Sequence, residues 1–102
     1  MKLNRKDKHA RSTAPTHCRA CGFDQAPLRP WGDDGKSPAY LICPCCGAES
    51  GLDEVTPADA RAYREKWVKK GTPWFREEAQ PKGWSWKGQR AHVPASKSPS
   101  EW

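Results

Sequence analysis

Apolar residues recur at helical spacing in one stretch of the chain, "TPADARAYREKWVKKG", residues 56 to 71. Ala60, Tyr63 and Trp67 fall on one side of a helix with about 3.6 residues per turn and form an apolar stripe. The charged side chains of the stretch fall mostly on the solvent-facing side: Arg61, Arg64, Glu65 and Lys66. We therefore expect an amphipathic helix in which Tyr63 and Trp67 pack against the rest of the fold rather than bind a ligand.

Capping residues mark both ends of this helix. Thr56 precedes Pro57, and Asp59 stands three positions after the threonine, an approximate capping box at the N-terminus. Two lysines and then Gly71 stand at the C-terminus, where the helix dipole favours cations and a glycine often ends the helix. The Thr-Pro signal recurs in "TPWFREEAQ" from residue 72, so we expect a second helix of about two turns there.

Short strands are expected in the segment before the helix. The residues "AYLI", 39 to 42, include aromatic and branched side chains, and "DDG", 33 to 35, is a turn signal. Pro30 and Pro38 exclude a long central strand, because proline has no N–H for a sheet ladder. The pattern predicts a short β-hairpin followed by helices, which is a small α+β fold.

The periodicity disappears near both ends of the chain. Residues 81 to 102 are rich in Gly, Pro and Ser although they contain tryptophans, and we expect them to be extended, or disordered when alone. Residues 1 to 16 are predicted to be a basic flexible tail, which leaves residues 17 to 80 as the folded domain. The N-terminal residues lack the apolar run of a signal peptide, and no later run is long enough to span a membrane.

A fold this small usually needs disulfides or a structural metal ion to be stable. The chain has 102 residues and a mean hydropathy of -1.00, which leaves few residues for a core. Five cysteines are available, an odd number that fits a complete set of disulfides poorly. The expected compartment is a reducing cytoplasm, where paired cysteines indicate metal ligands before they indicate disulfides.

Four of the cysteines form two copies of the pattern C-x-x-C-G. The first copy is "CRACG", with Cys18 and Cys21, and the second is "CPCCG", with Cys43 and Cys46. Two intervening residues let one tight turn direct both sulfurs at one ion, and the glycine supplies a positive φ and lets backbone N–H groups approach the thiolates. Four thiolates satisfy the tetrahedral preference of Zn²⁺, so the sequence predicts one structural zinc ion in a four-cysteine zinc ribbon.

Other interpretations of these residues stay open. The two pairs could serve as disulfides or as a redox switch, and four thiolates also suit iron in a rubredoxin-like site, although such electron carriers are usually acidic and this chain has a formal net charge of +6. His17 could replace a sulfur as ligand, which the symmetry of the two pairs disfavours. Cys45 is the spare thiol, and we expect it to point away from the metal as a small residue on the surface, with a reactive thiol or an alternative ligand as its other roles.

The positive charge lies in the tails. Residues 1 to 16 carry five basic side chains and one acidic side chain, and residues 81 to 102 carry four basic side chains and one acidic side chain. Residues 17 to 80 carry nine basic and ten acidic side chains. Basic tails can bind phosphate groups in a salt-dependent way. The near-neutral domain does not show the basic face that a nucleic-acid reader normally has.

Several motifs follow one another between residues 17 and 86: "CRACGF", then "SPAYLICPCCG", then "YREKW", then Trp74 and "PKGW". Together they resemble the cysteine-rich CPCC family of small bacterial proteins, whose members carry two cysteine knuckles and a Y-R-x-x-W helix. Arg19 stands where the first knuckle of that family usually has proline, which we expect to leave the ligands intact and to make the turn less rigid. The resemblance implies a compact metal-binding domain and brings no established activity with it.

Catalysis is not expected of this chain. Four thiolates would fill the coordination sphere of zinc and leave no water for the metal to activate. The histidines, His9, His17 and His92, have no acid partner placed by spacing. The sequence therefore favours a non-enzymatic protein.

Two functions remain as hypotheses. The first is a protein-interaction module, either an accessory subunit or a partner-neutralising protein of the antitoxin or immunity type. Its partner surface would use aromatic side chains left exposed, because six tryptophans exceed what so small a core can bury: Trp31, Trp74, Trp84 and Trp86. The alternative is a nucleic-acid- or ribosome-associated protein that uses basic tails and aromatic stacking.

Overall fold

The computed structural model describes residues 14–94 of the chain. Two turns lie at its centre, one around each cysteine pair, and we call them knuckle 1, residues 16–25, and knuckle 2, residues 41–50. Most of the predicted N-terminal tail, residues 1–13, and the end of the predicted C-terminal segment, residues 95–102, lie outside the described residues.

The two knuckles share one backbone structure. In knuckle 1, the N–H of Cys18 donates to the carbonyl of Phe23 at 2.8 Å, and the N–H of Gly22 donates to the carbonyl of Cys18 at 2.8 Å. The same two bonds recur in knuckle 2. The N–H of Cys43 donates to the carbonyl of Ala48 at 2.9 Å, and the N–H of Gly47 donates to the carbonyl of Cys43 at 2.8 Å. The repeated C-x-x-C-G pattern therefore corresponds to a repeated fold of the chain.

The predicted β-hairpin is wrong. Within residues 14–94 the structure has no strands, and it has only two isolated antiparallel bridges, His17 with Asp24 and Ile42 with Glu49. Each bridge closes one knuckle instead of joining the two. Tyr40 interrupts the expected strand "AYLI", because its φ of 55° lies in the left-handed region and extended pairing cannot continue through it.

The first predicted helix is confirmed. Helix α1 spans Pro57–Lys69, and the hydroxyl of Thr56 accepts a hydrogen bond from the N–H of Asp59 at 3.0 Å. Ala60 and Trp67 are buried and Tyr63 is half-buried, as the apolar stripe predicts. Across the described part of the chain, no helix combines the length and the apolar character needed to cross a membrane.

The second predicted helix is reduced to a single 3₁₀ turn, Glu77–Ala79. The chain just before it is extended because its backbone N–H groups bond to knuckle 2. The N–H of Phe75 donates to the carbonyl of Cys45 at 2.9 Å, and the N–H of Arg76 donates to the carbonyl of Pro44 at 2.9 Å. Pairing with the knuckle therefore overrides the local Thr-Pro start signal.

The described part of the C-terminal segment is not extended as expected. Helix α2 spans Trp86–Gln89 and continues into a 3₁₀ turn, Arg90–His92. The ring of Trp86 makes an edge-to-face contact with Trp67, with ring centroids 5.1 Å apart, and Trp84 contacts Trp67 and Trp74 in the same manner. The domain boundaries stay predictions, but residues 84 to 93 pack on the domain that the sequence places before them.

Thiols and aromatic rings, rather than aliphatic side chains, make up the core. The buried cluster consists of all five cysteines together with Ala20, Ala48, Trp67 and Trp74. Leu41 and Val93 are half-buried, and the other larger aliphatic side chains of the described residues are exposed: Leu28, Ile42, Leu52, Val55 and Val68. The apolar area that holds most small domains together is therefore scarce here.

Glycine is required in knuckle 1 by conformation and by space. Gly22 has a φ of +82°, and a Cβ built on it would lie 2.7 Å from the backbone nitrogen of Val93. Gly83 has a similar φ of +74°, but a Cβ built on it would have no other atom within 4 Å. The C-terminal segment can therefore lie against knuckle 1 only because the residue there has no side chain.

We predict that Gly22→Ala destabilises the fold more than Gly83→Ala. Both variants incur the cost of a positive φ, about 1 to 2 kcal/mol, and Gly22→Ala adds a backbone clash of about 1 to 3 kcal/mol. Chemical denaturation of the metal-loaded variants measures the difference. Equal destabilisation of the two variants would contradict the close contact between knuckle 1 and residues 92 and 93.

Candidate metal centre

The cysteines of the two pairs bring their sulfurs together in one buried cluster. The Sγ atoms of Cys18, Cys21, Cys43 and Cys46 all lie within 4.8 Å of one another. Between the knuckles, Cys18 Sγ is 3.7 Å from Cys46 Sγ, and Cys21 Sγ is 3.7 Å from Cys43 Sγ. These four thiols could hold a metal ion, to which each knuckle would contribute two ligands.

The two sulfur–sulfur distances between the knuckles match those of a tetrahedral site. Metal–sulfur bonds of about 2.3 Å place the corners of a regular tetrahedron about 3.8 Å apart, close to the two distances of 3.7 Å. All five cysteines lie among the described residues and all are free thiols. The disulfide alternative is therefore not what this structure contains.

Close packing couples the protonation of these thiols. Hydrogen bonding between the sulfurs, with Cys18 as the strongest partner, raises the pKa of Cys21 and lowers the pKa of Cys43. Buried thiolates at this distance repel one another, so the cluster cannot lose all its protons without a counter-charge. A divalent cation supplies that charge when it binds, and the thiols release their protons.

Helix α1 is tied to both knuckles by two successive side chains. The hydroxyl of Tyr63 donates to the carbonyl of Cys46 at 2.9 Å, and burial raises the pKa of Tyr63 to about 12, which keeps the donor protonated. The guanidinium of Arg64 donates to the carbonyl of Ala20 at 3.0 Å. The expectation that Arg64 faces solvent is wrong, because this bond holds it half-buried against knuckle 1.

Cys45 is buried, so the expectation that it lies on the knuckle surface is wrong. Ala20 occupies the equivalent position in knuckle 1 and is also fully buried. Cys45 is outside the group of four sulfurs, and its Sγ lies 3.4 Å from the amide nitrogen of Gln89. The knuckle turn directs this side chain toward the C-terminal segment instead of toward solvent.

Gln89 connects the C-terminal segment to both knuckles. Its side-chain amide donates to the carbonyl of Cys21 at 3.0 Å and contacts the sulfur of Cys45. Its carbonyl accepts a hydrogen bond from Trp84 Nε1 at 2.7 Å. No local signal in the sequence marks this residue, because its partners in the two knuckles lie more than forty positions away.

A buried acid lies beside knuckle 1. Glu54 is fully buried, and its carboxylate accepts a hydrogen bond from Trp31 Nε1 at 2.8 Å. The guanidinium of Arg19 lies 3.9 Å from the centroid of the Trp31 ring. Burial first, then the charge of Cys18, raises the pKa of Glu54 to about 7, against the opposing effects of the Trp31 hydrogen bond and of the Arg19 charge. Arg19 is therefore engaged with its surroundings instead of merely replacing the expected proline.

The tryptophans predicted to contact a partner lie mostly inside the fold. Trp31 is 9% exposed and Trp74 is 7% exposed, while Trp84 and Trp86 are partly buried against Trp67. The expected exposure of Trp31 and Trp74 is wrong, because the fold uses their rings to cover the knuckles. Their role in partner binding stays a prediction without the exposed area on which it was based.

The two histidines within residues 14–94, His17 and His92, stand apart from the cluster. His17 stacks on His92, with ring centroids 5.7 Å apart and ring planes at 16° to each other. His17 does not belong to the group of four candidate metal ligands. His9 lies outside the described residues. The structure thus places His17 against the C-terminal segment, and not in the position of a ligand.

Comparisons with known proteins give no relative for this chain: protein-family models, curated proteins and solved structures contain no match.

We predict that Cys45→Ala retains one metal ion per chain, whereas Cys46→Ala loses it. The first variant gives knuckle 2 the alanine that knuckle 1 already has, at a cost of about 1 kcal/mol for the lost volume, while the second removes a ligand. Elemental analysis and native mass spectrometry under reducing conditions measure the metal content. If the two variants bind metal equally, this division of the thiols is wrong.

We predict that Glu54→Gln weakens the pH dependence of stability. The pKa of Glu54 rises from 4.5 to about 7 on folding, so its favourable contribution is complete below pH 4.5 and is lost as the pH rises through 7. Glutamine retains an acceptor for Trp31 and does not ionise. Relative to the variant, the wild-type free energy of unfolding should fall by at most about 3 kcal/mol between pH 4.5 and 8.

The control for this measurement is Glu77→Gln, at an exposed position of the 3₁₀ turn. All three proteins are measured with the metal bound, so the differences report the carboxyl group together with its interaction with Cys18. If the difference in free energy of unfolding between the wild type and Glu54→Gln stays constant across this pH range, folding does not raise the pKa of the buried acid.

Proposed function

We propose that this chain is a non-enzymatic protein-interaction module built around one structural zinc ion in a reducing cytoplasm. The observation that carries the proposal is the set of four buried thiols, Cys18, Cys21, Cys43 and Cys46, whose sulfurs all lie within 4.8 Å of one another. We also infer membership of the cysteine-rich CPCC family, which the order of the motifs along the sequence supports.

The donor set favours zinc in a structural role. Catalytic zinc sites keep one position open for water, whereas four protein thiolates would complete the coordination sphere and leave nothing to activate. The same donors accept iron, which would make the protein coloured and redox-active. A folding role suits zinc best, because the chain has little aliphatic core and metal binding can supply the missing folding free energy.

Exposed apolar side chains support the interaction role. The described surface carries Leu28, Tyr40, Ile42, Leu52, Val55, Val68 and Phe75. A domain with so few aliphatic residues leaves most of them in water, while alanine, cysteine and tryptophan fill its interior. Binding a protein would bury some of this area, and the metal-held knuckles would present it from a rigid body.

The test is native mass spectrometry of the endogenous complex, captured from cells under reducing conditions and treated with nuclease, together with elemental analysis. We expect one zinc ion per chain and a protein partner that survives both nuclease and moderate salt. Loss of the association with nuclease, or a fall by orders of magnitude with salt, would favour the nucleic-acid or ribosome alternative instead. Iron in place of zinc would overturn the structural-zinc proposal.

A further inference from the structure

An open groove of about 990 Å³ runs between helix α1 and the C-terminal segment. Val68, on the helix, and Trp86 and Val93, on the C-terminal segment, contribute apolar surface to it. Val68 is 38% exposed, so an aliphatic side chain that lines the groove faces water. The volume is at the upper end of the range for ligand sites, roughly 300 to 1,000 Å³.

Both walls of the groove are basic. Helix α1 contributes Lys66 and Lys69, the C-terminal segment contributes Lys87 and Arg90, and Glu65 is the carboxylate among the lining residues. No ion pair joins Lys69, Lys87 or Arg90 to an acid within residues 14–94. Like charges on two facing walls repel each other, and an anionic occupant would relieve that repulsion.

The groove is not fixed by local sequence, because its two walls come together through the core. Trp86 packs edge-on against Trp67 of helix α1, and Gln89 of the same short helix bonds to both knuckles. Lys87 and Arg90 are thereby held opposite Lys69 by contacts of buried groups. The near-neutral charge of residues 17 to 80 conceals this concentration of cations, because Lys87 and Arg90 come from the segment that follows them.

We propose that this groove binds an acidic peptide segment of a protein partner, with apolar side chains of the peptide against Val68, Trp86 and Val93 and its carboxylates at Lys69, Lys87 and Arg90. The proposal rests on the proposed interaction function and names the surface and the chemistry of the partner that it takes.

The shape of the lining favours a peptide over single-stranded nucleic acid. Trp86 is the one aromatic side chain among the described residues that line the groove, and it already contacts Trp67. Single strands bind by stacking successive bases on several rings along a basic channel. Aliphatic side chains between cations instead suit leucine- or valine-like anchors flanked by carboxylates, as in peptide grooves.

The test uses a phage-displayed library of random 12-residue peptides, selected on the zinc-loaded full chain. We expect the enriched peptides to combine acidic residues with apolar anchors. A synthetic peptide of the enriched sequence should bind the double variant Lys69→Glu/Arg90→Glu about tenfold more weakly or worse, because both reversals place like charges opposite its carboxylates. Fluorescence anisotropy of the labelled peptide measures the affinity.

The matched control is Lys36→Glu/Lys82→Glu, which changes the net charge equally at two exposed lysines that do not line the groove. It should bind the peptide within about twofold of the wild type, apart from long-range charge effects. Metal content and near-ultraviolet circular dichroism verify that each variant is folded. If the charge-reversed groove variant does not fold, Lys69→Gln/Arg90→Gln takes its place.

Several outcomes overturn the proposal. They are selection of no peptide above background, selection of basic or uncharged peptides, and binding that the groove variant leaves unchanged. Binding of a 12-nucleotide oligo(dT) that depends on Lys69 and Arg90, without peptide enrichment, assigns the groove to nucleic acid. If the endogenous protein partner survives nuclease and binds the groove variant as well as the wild type, this proposal fails while the interaction function stands. Loss of the partner with nuclease refutes the function itself.

Discussion

The packing of four thiols at the centre of the molecule is the constraint on which the rest of the described structure depends. Both knuckles point their sulfurs inward, and helix α1, the chain after it and the C-terminal segment all bond to knuckle carbonyls. Such a cluster is unfavourable for ionised thiols alone, because their charges are close and buried. A cation at the centre would convert this repulsion into the strongest attraction in the fold.

The repeated knuckle explains how so short a chain organises several peripheral elements. Each turn presents outward-facing carbonyls of the same geometry, but different groups occupy them. Arg64 and Gln89 bond to knuckle 1, while Tyr63 and the backbone at residues 75 and 76 bond to knuckle 2. The two copies of the repeated knuckle are thus contacted by different groups. The asymmetry of the domain comes from what packs on the knuckles and not from the knuckles themselves.

Local rules predicted what local physics determines. Cysteine spacing identified the four clustered thiols, and capping residues with the apolar stripe identified helix α1. The hairpin prediction failed at Tyr40. Its backbone is left-handed, and strand propensity does not anticipate that conformation. The predicted second helix failed because the backbone at residue 75 bonds to a knuckle. Burial of Cys45 and Trp31, the positions of Gln89 and Glu54, and the basic groove all depend on partners distant in sequence, for which a single chain carries no periodic signal.

The side chain of Gln89 gives the domain a property that neither the knuckles nor the C-terminal segment has separately. One amide contacts both knuckles, at the carbonyl of Cys21 and the sulfur of Cys45, and the same short helix carries Lys87 into the groove wall. Free-energy coupling between two sites is reciprocal, so a cation that stabilised the knuckles through this amide would also stabilise the wall, and an occupant of the groove would stabilise the knuckles. One side chain therefore links the interior of this protein to its outer surface.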